Sequence, residues 1–114
     1  MTESIFTKII NRQIPADILY ESERIIAIRD INPQAPTHIL VIPKIPIANM
    51  SQLESKDVHI LSEIFVAINK IAKEEGIYES GYRIVVNKGR DAGETVPHLH
   101  FHLLGGRSLN WPPG

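Results

Sequence analysis

The chain contains no cysteine. Disulfides, thiolate metal sites and cysteine nucleophiles are therefore excluded, and a reducing compartment suits such a sequence. It also lacks an excess of charge of one sign: 12 Lys and Arg stand against 13 Asp and Glu, for a net charge of -1. No strong overall field draws the chain to nucleic acid or to an anionic membrane. An anionic ligand would have to be held by local geometry. No apolar run is long enough for a membrane span, and MTESIFTKII, with an early acid and a lysine inside a short apolar run, does not read as a signal peptide. A soluble, cytoplasmic protein is expected. Internal repeats and low-complexity tracts are missing too.

What is present is the material for one core. Hydrophobic residues make up 43% of 114 residues, an ordinary share for one domain spanning 1–114. Ile5, Phe6, Ile9 and Ile10 fall at helical spacing, and the segment is expected to stop at Gln13-Ile14-Pro15 because residues before proline avoid helical geometry. ILYESERIIAIRD reads as a hairpin turning at residues 21–24. HILVIP, 38–43, is a nearly continuous apolar run suited to a buried strand. From Asp57 to Glu75, Val58, Leu61, Ile64, Phe65, Ile68, Ile71 and Ala72 form one helical stripe, with Gly76 as its C-terminal cap. YRIVVN, 82–87, and a final strand ending at Gly105-Gly106 follow. The order predicts an α+β fold: a five-stranded antiparallel sheet, one long helix and a short N-terminal helix.

The unusual stretch is PHLHFHLLGG, residues 97–106. Three of the five histidines, His98, His100 and His102, alternate with Leu99, Phe101 and Leu103. On a strand, alternate side chains share a face, so the histidines would point one way and the apolar residues into the core. Three readings compete. One is a half-exposed strand that merely carries histidine. Another is a metal site, although the outer histidines start roughly 13 Å apart on a straight strand, too far for three short bonds to one ion without awkward leaning. A metal on two of them with His38 remains open. The third is phosphate chemistry. A neutral imidazole attacks phosphorus while its neighbours donate hydrogen bonds or move protons. Gly93 and Thr95 lie just upstream and offer backbone amides and a hydroxyl, and Asn87 a side-chain amide.

HLHFHLL matches the alternating histidine signature of the histidine triad family. SIFTKIINRQIPADILYE, residues 29–44, GYRIVVN and LLGGRSLNWPPG resemble its nucleotide-binding protein branch over almost the whole chain. That resemblance implies a homodimer that binds purine nucleotides. It implies hydrolysis of nucleoside 5′-phosphoramidates to nucleoside monophosphate and amine, with no required cofactor or metal. His100 would be the nucleophile on the α-phosphorus, forming a nucleotidyl-imidazole that water resolves. His102 would bind a phosphate oxygen and assist proton transfer, His98 would orient its neighbour, and His38 would extend the relay. Asn87, Gly93 and Thr95 would complete the phosphate site. Asp30 would take the ribose hydroxyls. Ile5, Phe6, Ile9, Ile14, Ile28 and Ile31 would form the base slot. The tail bearing Trp111 would lie near the leaving-group side of the dimer's site. His59 reads as solvated and without a role.

Three positions depart from the common pattern of that branch: Thr95 for serine, Glu94 for glutamine and Pro97 for an aromatic residue. An ionised Glu94 facing a phosphate would oppose binding. Two alternatives stay open. One is a dinucleoside polyphosphate hydrolase, against which the WPPG ending argues. The other is a non-catalytic nucleotide-binding or partner-binding module.

Overall fold

The computed structural model describes residues 3–114. Helix α1 covers Ile5–Ile10. Strands β1 (Ile18–Glu21), β2 (Ile25–Arg29) and β3 (Thr37–Pro43) follow, then helix α2 (Val58–Glu74) and strands β4 (Tyr82–Val85) and β5 (Phe101–Gly105). The strands form one sheet in the order β1-β2-β3-β5-β4, and every neighbouring pair is antiparallel. This is the α+β architecture that the sequence predicts.

Strand β3 sits at the centre and is buried at every position, which explains its unbroken apolar run. Its side chains divide by the period of two. Ile39 and Val41 face the larger core with Ile25 and Ala27, while Leu40 and Ile42 face a smaller one with Ile26 and Ile28. Helix α2 covers the larger core with Ile64, Ala67, Ile68, Ile71 and Ala72. Its C-terminus closes as a Schellman turn: Gly76 N–H donates to the Lys73 carbonyl (3.2 Å) and Ile77 N–H to the Ala72 carbonyl (3.0 Å), with Gly76 at φ 75°. Ile77 is thereby swung onto the sheet against Gly105, where an added Cβ would meet it at 2.6 Å. Two residues of the predicted stripe do not join this core. Val58 and Phe65 are 55% and 45% exposed, because they lie on the shoulder of the helix.

Helix α1 covers the smaller core. At six residues it is too short to persist alone, and the buried Phe6 and Ile9 hold it down. Ser4 caps it by accepting the Thr7 N–H at 3.1 Å. It ends earlier than the proline at position 15 requires. Arg12 adopts φ 62°, and the Arg12 and Gln13 amides return to the Ile9 and Lys8 carbonyls, closing the helix before the proline acts. Two other elements are also shorter than expected. Strand β4 stops at Val85, and β5 begins only at Phe101. His98 and His100 therefore lie on the entry to the strand, bent at 96–98 where the His98 N–H returns to the Val96 carbonyl, rather than inside the ladder.

Candidate active site

Between α1 and the sheet lies a cavity of about 260 Å³. Its apolar wall is built by Ile5, Phe6 and Ile9 of α1, Ile14 beyond it, and Ile28 and Leu40 of the sheet. Its polar end carries Asp30, Thr95, His100 and His102, with Ile31 at the mouth. Every residue expected in the base slot thus faces one space. The isoleucines differ in exposure: Ile28 is buried, whereas Ile31 is 96% exposed and forms a free rim. Four of the expected site residues do not line the cavity. His38 and His98 sit behind the lining histidines. Asn87 and Gly93 belong to the loop beyond Thr95, where Gly93 ends a 3-10 turn (Arg90–Ala92) at φ 79°.

The hydrogen bonds assign each ring a tautomer. A carbonyl oxygen only accepts. The His98 carbonyl lies 2.7 Å from His100 Nδ1, so His100 carries its proton there and its Nε2 lone pair is free. The Pro43 carbonyl lies 2.8 Å from His98 Nε2, which therefore donates. Gln34 N–H donates to His38 Nδ1 at 3.0 Å, so the proton of a neutral His38 is on Nε2. That proton points to His102 Nδ1 at 2.9 Å and, less closely, to Asp30 Oδ2 at 3.4 Å. His102 must then carry its own proton on Nε2. The histidines form two separate directed chains: His38 donates to His102, which leaves a donor on His102 Nε2, and His100 donates to the His98 carbonyl, which leaves a lone pair on His100 Nε2.

Burial keeps three of these rings uncharged. His98, 1% exposed, and His38 are both pushed below the usual imidazole range by loss of solvent; the Pro43 bond and Asp30, respectively, oppose the shift. His102 is pushed down to about 4, first by burial and then by His100 and His38. An imidazolium standing ready beside His100 Nε2 is thus absent from the free protein.

Asp30 performs two tasks. Its Oδ1 accepts the Asn32 N–H at 2.8 Å, closing an Asx turn, while the carboxylate also faces the cavity. Glu94 is turned away from any phosphate there. It accepts the Gly89 N–H at 2.8 Å and the Asn49 side-chain amide at 3.3 Å, tying the loop that carries Thr95. Trp111 is 82% exposed, and the preceding tail is pinned by Arg83 to the Leu109 carbonyl (3.4 Å) and by Arg107 to the Gln34 carbonyl (3.0 Å).

One group of side chains has the composition of a metal site. Asp30, His38 and His102 each offer a ligand atom, all within 4.8 Å of one another. Two of those atoms are engaged with each other in the 2.9 Å histidine bond. An ion would have to break it and displace the His38 Nε2 proton, so the donor types fit and the resting protonation does not.

Sequence reasoning missed Ser4, Thr7, Asn49 and the backbone groups of Gln34 and Pro43. Ser4 was legible as a helix cap. Its approach to His98, 94 residues away, had no local signal.

A HIT domain family model matches residues 11–109. A 14 kDa zinc-binding protein of Zea mays is 48% identical over 113 residues, covering 97% of this chain and 88% of that protein. A crystal structure of a HIT family hydrolase from Legionella pneumophila superposes with a TM-score of 0.96 at 46% identity, over 98% of this chain and 100% of that one. A histidine triad nucleotide-binding protein from Candida albicans superposes with a TM-score of 0.81 at 32% identity, over 96% of this chain and 83% of that one.

Proposed function

The chain belongs to the HIT domain family, and on that premise we propose that it is a purine nucleotide-binding hydrolase that cleaves nucleoside 5′-phosphoramidates to nucleoside monophosphate and amine. One observation carries the reading. His100 lines the cavity with its Nδ1 proton committed to the His98 carbonyl, which leaves Nε2 as a nucleophile.

The cavity supports the rest. Its apolar wall suits a flat base, and Asp30 at its polar end suits two ribose hydroxyls. Thr95 and the His102 Nε2–H suit phosphoryl oxygens, with Asn87 and Gly93 in the flanking loop. His100 Nε2 attacks the α-phosphorus, the P–N bond breaks, and the amine leaves with a proton given up by His102 in its charged form. Water then attacks the nucleotidyl-imidazole, His102 takes the water's proton, and the bond from phosphorus to His100 Nε2 breaks to restore the ring. The phosphate's negative charge opposes the burial that keeps His102 neutral. Substrate itself thus calls the acid into being beside its leaving group. No cofactor or metal enters these steps.

A homodimer is part of the proposal. Strand β4 is an open edge of the sheet, the Tyr82 hydroxyl on it donates to Asn69 of α2 at 2.5 Å, and on the same helix Phe65, edge-on to Phe101 of β5, and Val66 are 45% and 69% exposed. The cytoplasm, suited to a chain without cysteine, is the proposed setting.

The test uses chelator-treated protein and an adenosine 5′-phosphoramidate of a fluorescent amine. Amine release that vanishes in His100→Ala, with a nucleotidyl adduct on the wild type by intact mass, is expected. AMP binding without release would overturn the hydrolase and leave a binding module. Activity lost to chelator and restored by zinc would overturn the metal-free mechanism.

A further inference from the structure

His98 is enclosed, and both of its ring nitrogens must find partners inside the protein. Nε2 donates to the Pro43 carbonyl at 2.8 Å. Nδ1 therefore holds a lone pair that needs a donor. Two hydroxyls reach it: Ser4 Oγ at 3.1 Å and Thr7 Oγ1 at 3.3 Å. They are also 3.2 Å from each other. Both belong to the start of α1, the helix whose Ile5, Phe6 and Ile9 wall the cavity. Phe6 further sets its ring edge-on to His98 and His100, with centroids 6.1 and 4.9 Å away.

The His98 backbone is held from both sides. Its N–H donates to the Val96 carbonyl at 2.9 Å, and the following Leu99 N–H donates to the Ile47 carbonyl at 2.6 Å. Between them the His98 carbonyl accepts the His100 Nδ1 proton. The ring of His98 is the third anchor of that peptide, and it is fixed only while both its nitrogens are satisfied.

We propose that Ser4 and Thr7 are positioning residues for the His100 nucleophile: their hydroxyls hold His98 in the Nε2–H form, and the His98 carbonyl in turn aims His100. The seat of the base and the aim of the nucleophile then share one six-residue helix. A base that presses on Ile5, Phe6 and Ile9 steadies the helix whose first turn locks His98. The proposal rests on the reading of His100 as nucleophile.

Capping and donation are separable. Ser4→Asp keeps an acceptor for the Thr7 N–H, so the helix stays capped. A carboxylate cannot donate to His98 Nδ1. Thr7→Val keeps the shape and removes the second hydroxyl. In the double variant S4D/T7V, nitrogen-15 NMR of the histidine rings is expected to show His98 protonated on Nδ1 and His100 released from its single Nδ1–H form. The kcat for phosphoramidate falls about 10- to 100-fold, with KM within about twofold, the signature of a misaimed nucleophile. S4T/T7S, which keeps both hydroxyls, restores the wild-type ring signals and the rate. Unchanged His98 and His100 signals in S4D/T7V would overturn the proposal. So would a loss confined to KM, or an S4T/T7S variant as slow as S4D/T7V. If the wild type releases no amine at all, the hydrolase reading fails on its own. The ring signals then still decide whether Ser4 and Thr7 hold His98 and His100.

Discussion

The two faces of the sheet are made by the same strands and serve opposite ends. On one face, the 17-residue α2 seals its Ile68 against Ile25, Ile39 and Leu103 of the sheet, all fully buried. On the other, the six-residue α1 covers Ile26 and Ile42 but leaves a cavity of about 260 Å³. β5 shows the division within three residues: Phe101 and Leu103 join the closed core, and His102 faces the open side. A short lid over a rigid sheet leaves room for a ligand, whereas a long amphipathic helix over the same sheet fills its side. The face that stabilises the fold is thus kept apart from the face that carries the cavity and the proposed chemistry.

Substitutions on the two sides should break different properties. The largest effect belongs to the open face. His100→Ala is expected to lower phosphoramidate turnover by at least about 10³-fold, with a melting temperature close to wild type, measured by amine release and calorimetry. On the closed face, Ile68→Ala is expected to cost about 3 kcal/mol in urea unfolding, while the folded fraction keeps its turnover. Equal loss of activity per folded molecule would show that the two faces are not independent.

Acid should select the open face. His38, His98 and His102 have folded pKa values below their ordinary 6.5, so the unfolded chain takes up protons first. Their contribution is intact at neutral pH, falls as pH drops below about 6.5, and for His102 is spent only near 4. A loss of at least about 3 kcal/mol across that window is expected from urea midpoints, most of it from His102 at about 1.4 kcal/mol for each pKa unit. Glu21 and Glu75, lowered by hydrogen bonds from Lys44 and Arg29, lose their contribution only below about 4.5, so the interval above it reports the imidazoles.

Smaller effects sharpen the site. Asp30→Asn is expected to raise KM about tenfold, near 1.4 kcal/mol of nucleotide affinity, with kcat less affected. Glu94→Gln is expected to change kcat/KM less than about threefold, because the carboxylate already faces Gly89 and Asn49. A large gain in affinity in that variant would mean that Glu94 turns towards the phosphate when nucleotide binds.

Much of this was legible along the chain. The period of two in residues 98–103 assigned opposite faces to histidines and apolar residues, and both helices announced themselves by spacing. The limits of α1 and β5 were not legible. A left-handed Arg12 ends the helix early, and the entry to β5 is held by the Val96 and Ile47 carbonyls rather than by a ladder. The exposure of Phe65 was hidden as well, since periodicity marks an apolar face but not how wide a strip the sheet can cover.

By itself the sequence determined the α+β class, the two faces of the sheet and the concentration of histidine on one of them, because strand and helix periods are properties of neighbours along the chain. Only the tertiary structure decided which nitrogen of each ring carries the proton. That depends on the carbonyls of Pro43 and His98, the amide of Gln34 and the hydroxyls of Ser4 and Thr7. Hydrogen bonds act over about 3 Å of space, however many residues of chain separate the partners.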